Sequence, residues 1–444
     1  MQIQLPEAVR WILNELQKHG QDAYAVGGCV RDTILGRSPQ DWDITTSARP
    51  EQVKAIFKRT IDTGIQHGTV TVMVDHVGYE VTTYRIDGEY EDARHPKEVT
   101  FTSDLLEDLK RRDFTINAMA YNETTGLVDA FDGIGDLKRG IIRCVGNARE
   151  RFGEDALRML RAVRFAAQLG FTIEAETRAA VEELAGNLKK VSAERIQVEL
   201  TKLLVSAHPE EMRTLYQTGI SAVILPEWDA MLETPQHHPH HCYSVGEHTI
   251  AALCEIRADK VLRYTMLLHD VAKPLCKTTD ENGIDHFYGH PGQGAELARK
   301  IMRRLKMDNA TIDAVCGLIR VHDVNPKPER KAVRHAVYRA GLSDYKLLFE
   351  VKRADILAQS SYMQQEKLDY LRDYKQIYDA IVSEQECISL KQLAISGSDL
   401  IAAGMKPGPE LGRVLQKLLG LVLDDPSMNT KEKLIGYTLK NLFI

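Results

Sequence analysis

Apolar positions in the first third of the chain fall into short runs bounded by glycine or aspartate. Ala23–Val26, Thr69–Val74 and residues 79–85 are rich in β-branched or aromatic residues, which predicts strands. Helical spacing predicts a helix over 50–58, and the N-terminal MQIQLPEAVRWILNELQKHG reads as an amphipathic helix. From about Gly146 the pattern changes, and segments 154–169, 174–187 and 193–205 place apolar residues three and four apart. The rest, to Ile444, reads as helix broken by Pro/His-rich and Pro/Lys-rich loops, without internal repeat or low-complexity tract. The expected fold class is α+β: a head with a small mixed sheet covered by helices, then an all-α remainder.

At 444 residues the chain is too long for one core and predicts two to four domains. Its 43% hydrophobic and 27% charged residues suit a soluble globular protein. No run of eighteen apolar residues occurs, so no membrane partner is expected, and the N-terminus lacks a secretory profile. Seven scattered cysteines without a CxxC pair predict free thiols in a reducing cytoplasm. The net charge of −6 gives no global sign of nucleic-acid binding, and DNA is not an expected partner. Contact with RNA then rests on local basic patches at 110–112, 299–306 and 327–334, each of which reads equally well as a solvated helix face.

The chemistry of the head begins where AYAVGG runs into CVRDTILG and DWDITTS. Gly27 and Gly28 follow a predicted strand and open a predicted helix, where backbone N–H groups approach phosphates. Arg31, one turn on, is placed to reach a triphosphate. Asp41 and Asp43 are one residue apart, so on a strand their carboxylates share a face, as Mg2+ held jointly with substrate phosphates requires. Glu80, on the predicted strand 79–85, adds a third carboxylate. Singly, a GG turn is only a turn and DxD is common on solvated surfaces; their order carries the reading.

That order, GG, VRD and then DxD, resembles the signature of the DNA polymerase β-like nucleotidyltransferases, and specifically the class II tRNA nucleotidyltransferase and poly(A) polymerase family. RRDFTINAMAYN at 111–122 (with Arg112), VDAFDGIGDLKRG at 128–140, EDALRMLRAVRF at 154–165 and SAERIQVEL at 192–200 resemble the family's further motifs. The resemblance covers the first 200 or so residues. It implies template-independent addition of CCA to the 3′ end of tRNA from CTP and ATP, with Asp155 and Arg158 selecting the base. Physically, Asp155, Arg158, Arg161 and Arg164 recur every three residues along one helix face, where carboxylate acceptors and guanidinium donors match the edges of cytosine and adenine. Arg161 and Arg164 would orient that pair or hold phosphate. The polar loop expected between Arg85 and Arg112 matches one that the family's CC-adding members lack; it does not separate CCA addition from A addition, and CCA addition is the commoner activity.

A second constellation lies further on. His248, the His269-Asp270 pair at the end of the apolar run YTMLLHD, and Asp355 in KRADILA are natural ligands for a divalent transition metal. The order H…HD…D resembles the HD phosphohydrolase superfamily. It implies phosphodiesterase or phosphatase activity, with 2′,3′-cyclic phosphates that block a 3′ end as one substrate. His290 and His322 are candidate additional ligands, Lys273 a candidate phosphate contact, and the histidine cluster at 236–241 receives no ligand role. The expected division is a catalytic head at 1–140, a nucleotide-selecting neck at 141–206, a body with the HD site at 207–357, and a helical tail at 358–444 that contacts tRNA. Competing readings are an A-adding enzyme or poly(A) polymerase, an HD phosphohydrolase whose head only senses nucleotides, and a non-catalytic RNA-binding protein. The intact carboxylates speak against the last two.

Overall fold

Two strands buried on both faces, β1 (Ala23–Val26) and β2 (Ile44–Thr46), form the centre of the head sheet. The computed structural model describes residues 2–88, 99–238, 240 and 242–441. It completes the sheet with β3 (Thr60–Gly64), β4 (Thr69–Val74) and β5 (Val77–Thr83) on one side. Beyond the short ribbon β6 (Arg85–Asp87) and β7 (Val99–Phe101), β8 (Met119–Asn122) and β9 (Gly126–Asp129) close the other side. The seven-stranded order is β3-β4-β5-β2-β1-β8-β9, antiparallel throughout except for the parallel β2–β5 pair. The expected α+β class with a mixed N-terminal sheet and a helical remainder is what the chain forms.

Helices cover the sheet. α1 (Glu7–Lys18) buries Val9, Ile12, Leu13 and Leu16, the apolar stripe its spacing predicted. α2 (Gly28–Ile34), α3 (Pro50–Ile56), α4 (Leu105–Lys110) and α5 (Gly133–Arg139) follow. The stretch expected as a polar loop is structured at both ends, as the β6–β7 ribbon and α4; residues 89–98, where the expected loop itself falls, lie outside the described residues.

The helix expected over 154–169 is two helices. α6 (Ala148–Glu154) stops at Asp155, whose backbone is extended, and α7 (Leu157–Leu169) starts after it. The Asp155 carboxylate accepts from the Leu157 N–H at 3.0 Å, just ahead of the first turn of α7, where apolar spacing alone shows no break. α8 (Ala175–Leu184), α9 (Ala193–Leu204), α10 (Met212–Gln217) and α11 (Ile220–Ile224) complete the first of two packing units, which span 1–229 and 230–444. The break between units thus falls after the helices of 212–224, which pack with α7 and its neighbours.

In the second unit, after α12 (Pro226–Glu233) at the boundary, helices α13 (Val245–Glu255), α14 (Lys260–Leu268) and α15 (Lys273–Cys276) precede α16 (His290–Arg304), α17 (Asn309–Val321) and α18 (Arg330–Ala340). α19 (Lys346–Leu357) and α20 (Gln364–Ser383) close an apolar core around Tyr345, Phe349 and Tyr374. A separate core around Leu400, Leu418 and Val422 holds the last helices, α21 (Gly397–Ala402), α22 (Pro409–Asp424) and α23 (Lys431–Asn441). Among the described residues no helix is long and apolar enough to cross a membrane, and all seven cysteines are free.

Candidate active site and candidate metal centre

The parallel register of β2 and β5 builds the head site. Ile44 pairs with Val81, and both side chains point into the core. One residue earlier on each strand, Asp43 and Glu80 therefore turn to the opposite face and lie side by side. Asp41 and Asp43 were expected on a strand; they occupy the extended segment just before β2 instead. The Asp43 carbonyl accepts from the Val26 N–H at 2.9 Å, which ties that segment to β1. Burial among protein atoms raises the Asp43 carboxyl above the usual carboxylate range; the Arg112 guanidinium opposes the shift and the Asp41 charge adds to it. Glu80 is raised too, by desolvation and then by Asp43 and Asp41. Three mutually repelling carboxylates with one nearby arginine are a donor set that suits a divalent cation.

Asp41 and Asp43, but not Glu80, line a cleft of about 710 Å3 together with Gly28, Arg31, Arg112, Arg161 and Arg164. Gly27 has φ 81°, a backbone conformation that favours glycine, and a Cβ there would sit 2.9 Å from Arg112 Nη1. Gly27→Ala should therefore lower nucleotide incorporation at least ~10-fold, since a side chain in this backbone region costs on the order of 1–3 kcal/mol and displaces Arg112. Unchanged incorporation would show that transfer does not depend on the left-handed backbone at Gly27. Beside it, burial and the Asp43 charge push the Cys29 thiol up to about 11, which keeps it protonated and inert.

Arg31 is nearly buried. It donates to Asn117 Oδ1 at 2.7 Å and pairs with Asp32. Asn117 in turn donates to Asp113 at 3.1 Å, and Arg161 donates twice to the other Asp113 oxygen, at 2.8 and 2.6 Å. Burial pushes the Asp113 carboxyl up, but Arg161 and these hydrogen bonds outweigh it and hold the group well below the carboxylate range. Arg164 donates to Glu199 at 2.7 Å and to Gln168 at 2.9 Å, with its guanidinium 3.5 Å from the Phe165 ring centre. Asp113, Asn117 and Glu199 went unnamed in the sequence although they stand inside RRDFTINAMA and SAERIQVEL; their partners, up to 86 residues away, are what give them meaning.

Asp155 and Arg158 are not among the residues lining the cleft. Asp155 accepts from Arg195 at 2.7 Å, while Arg158 donates to Glu154 at 2.6 Å and to the Arg111 carbonyl at 3.0 Å.

In the second unit the structure brings together His248, His269, Asp270, His290, His322 and Asp355. His248, inside α13, lies 2.9 Å from Asp355 on α19. His269 and Asp270 follow the apolar run of α14 and are buried, with His269 Nε2 3.2 Å from Asp270 Oδ2. The candidate additional ligands approach the same group: His322 Nε2 is 3.9 Å from Asp270 Oδ1, and His290 is 3.4 Å from the same oxygen. Each of the four imidazoles turns Nδ1 to a backbone carbonyl, of Ala358, Met266, Phe287 or Ile319, and its Nε2 inward. That is the arrangement metal-ligating histidines adopt. Ligand atoms gather in two overlapping sets, His248–His269–Asp270 and Asp270–His290–His322. Asp270 Oδ2 is buried without a hydrogen-bond donor; the Lys273 ammonium lies 2.7 Å away as an ion-pair partner, without hydrogen-bond alignment. A buried, electron-rich oxygen among inward lone pairs fits a divalent metal. Within the histidine cluster at 236–241, Pro239 and His241 lie outside the described residues.

Comparison with known proteins places this geometry in a lineage. Residues 23–143 match the Poly A polymerase head domain, and residues 278–437 match tRNA nucleotidyltransferase domain 2. A CCA-adding enzyme of Levilactobacillus brevis is 37% identical over 431 residues, covering 97% of this chain and 96% of the relative. One from Latilactobacillus sakei is 38% identical over 428 residues, covering 96% and 95%. The Bacillus stearothermophilus CCA-adding enzyme in complex with CTP matches at a TM-score of 0.71 and 30% identity over 98% of this chain and 97% of that one. The Thermotoga maritima CCA-adding enzyme complexed with tRNA(CCA) shares the fold, at a TM-score of 0.59 and 21% identity over the full length of both chains. Similarity of this extent, running through the head and on to the last helices, shows that the chain belongs to the CCA-adding enzyme family of tRNA nucleotidyltransferases.

Proposed function

We propose that this chain adds C, C and A in turn to the 3′ end of tRNA, using CTP and ATP and releasing pyrophosphate. The observation that carries the reading is the mutual approach of the Asp41, Asp43 and Glu80 carboxylates, the first two lining an arginine-rich cleft. The relatives named CCA-adding enzymes, and the similar structure with CTP, support it. Asp41 and Asp43, with Glu80, would hold two Mg2+ ions, whose charge favours the attacking 3′-oxygen and the leaving pyrophosphate. Arg31, Arg112, Arg161 and Arg164 would orient the triphosphate and base, and Gly28 leaves room for phosphate at the start of α2. In this reading 1–140 is the catalytic head, 141–206 the neck, 207–357 the body and 358–444 a tail on the tRNA. The seven free thiols suit a cytoplasmic setting.

Asp155 and Arg158 remain the proposed base readers, which requires them to exchange their present partners for the incoming nucleotide. Arg158→Ala should then relax selection of CTP and ATP over UTP and GTP more than it weakens triphosphate binding; an equal loss for all four nucleotides would remove the role. The deciding assay offers labelled CTP and ATP to tRNA transcripts ending at the discriminator base, after one C and after two. Extension of all three, C before A, supports CCA addition. Extension only of the last, with ATP alone, makes the chain an A-adding enzyme.

The His/Asp centre is proposed as a metal-dependent phosphohydrolase. When bound, the metal supplies Lewis acidity toward a phosphoryl oxygen. His248, His269, Asp270 and Asp355 would hold it, with His290 and His322 beside a second position, and Lys273 places positive charge beside the phosphate. Asp270→Asn should lower Mn2+-dependent phosphoester hydrolysis at least ~100-fold and leave CCA addition unchanged. Hydrolysis that persists in this variant would remove the centre from the reaction.

A further inference from the structure

We propose that the His/Asp centre acts on a linear phosphodiester, with one ester group in each of two cavities that meet at the centre; this rests on the hydrolase reading above. The cavities, of about 330 and 470 Å3, share His322, Asp323, Asp355 and Gln359 as a common floor. A substrate phosphate at that floor has room on both sides. A phosphomonoester fills one side only, and a cyclic phosphate has no second group to place in the other.

The two walls differ in chemistry. At the smaller cavity, Tyr288 is 76% exposed and lies parallel to His286, with an interplanar angle of 8° and ring centres 5.3 Å apart. An exposed ring already backed by a second ring is a stacking platform for a nucleobase. Lys273 lines the same cavity beside Asp270, where the phosphate would sit. The larger cavity sets Ile356, Met363, Tyr370 and Leu371 beside the polar groups of Asn325, Lys352 and Glu366, a mixed wall that suits a flat group with polar edges, such as a second nucleobase. Lys367 stands at its edge and donates to Gln359 and, at 3.1 Å, to His240, which links this wall to the shared floor.

In the step itself a water oxygen forms a bond to phosphorus as the bond from phosphorus to one ester oxygen breaks. The proton lost by the water ends on the departing oxygen, so a diester and water become a monoester and an alcohol.

The test uses the full chain with Mn2+ and three substrates: the linear dinucleotide adenylyl-(3′→5′)-adenosine, adenosine 2′,3′-cyclic phosphate and 3′-AMP. The linear diester should be turned over with kcat/KM at least ~10-fold above the other two. Tyr288→Ala should raise its KM about 10-fold, with recovery in Tyr288→Phe, as loss of one stacked base predicts. Preference for the cyclic or monoester substrate, or a KM indifferent to Tyr288→Ala, would overturn the linear-diester assignment and leave the hydrolase intact. No metal-dependent turnover of any substrate, or turnover equal in wild type, Asp270→Asn and Asp355→Asn, would overturn the hydrolase reading and this inference with it.

Discussion

Asp43→Ala should lower nucleotide incorporation into tRNA by about 10^3-fold, a barrier increase of roughly 4 kcal/mol, while the thermal midpoint stays level or rises slightly. The two parts of this expectation have one cause. Asp43 is held next to Asp41 and Glu80 by the strand register, and desolvation already disfavours its charge. Such a cluster costs the fold some stability, which the proposed cations and triphosphate would offset on binding. Removing one carboxylate relieves repulsion and takes away a cation ligand at once. Steady-state incorporation of CTP and ATP, read alongside calorimetry, checks both. A fall in midpoint with activity lost only in proportion to the unfolded fraction would mean that Asp43 is a structural residue.

Arg161→Met is the opposite case, because its main effect falls on stability. Asp113 is buried, and Arg161 supplies two of its hydrogen bonds and most of its compensating charge. Breaking a buried pair from one side strands the other charge, at a cost of about 3–5 kcal/mol by general experience. The Arg161 side chain is 32% exposed, so water screens part of this and about 2–3 kcal/mol is expected. For a unit of this size that is a drop in Tm of roughly 5–10 °C. The pH dependence has a definite sign. In the wild type the depressed Asp113 pKa contributes stability above the unfolded carboxylate range and loses it as pH falls through the folded value. Without Arg161 the buried carboxyl is raised, so acid relieves the variant while it weakens the wild type. The gap between them should shrink from pH 7 toward pH 4 in urea titrations. A gap that is constant with pH would show that the destabilisation comes from lost packing.

Much of the head was legible because its signals are local. Ala23–Val26 and Thr69–Val74 form as strands over the expected residues, since β-branched runs between turn residues need little tertiary help. β3 and β9 were missed: threonine, aspartate and glycine dominate β3, β9 has only Leu127 and Val128 between Gly126 and Asp129, and pairing with a neighbour is what makes them strands. The break at Asp155 was hidden because Asp155 stands in series with Arg158, Arg161 and Arg164, and nothing in that spacing marks its extended backbone. At the site, residue types were readable and partners were not. Asp41, Asp43 and Glu80 stood out as carboxylates in order, whereas the Arg31–Asn117–Asp113–Arg161 relay joins segments far apart in the chain. Likewise H…HD…D could be seen in the sequence, with His290 and His322 as candidate additional ligands, but the placing of His322 could not. It depends on α17 ending beside Asp270, which no local pattern records.

The single parallel pairing in the head sheet also bears on how the molecule comes to be active. Asp43 and Glu80 meet only when β2 and β5 join, a contact that closes a loop of 37 residues, whereas the β4–β5 hairpin forms from neighbours. Non-local closure is the slow step in folding a small sheet. On the ribosome, or in refolding from urea, the hairpin can therefore be complete while the cation site does not yet exist. A chain caught at that stage would carry most of its strands and no catalytic power.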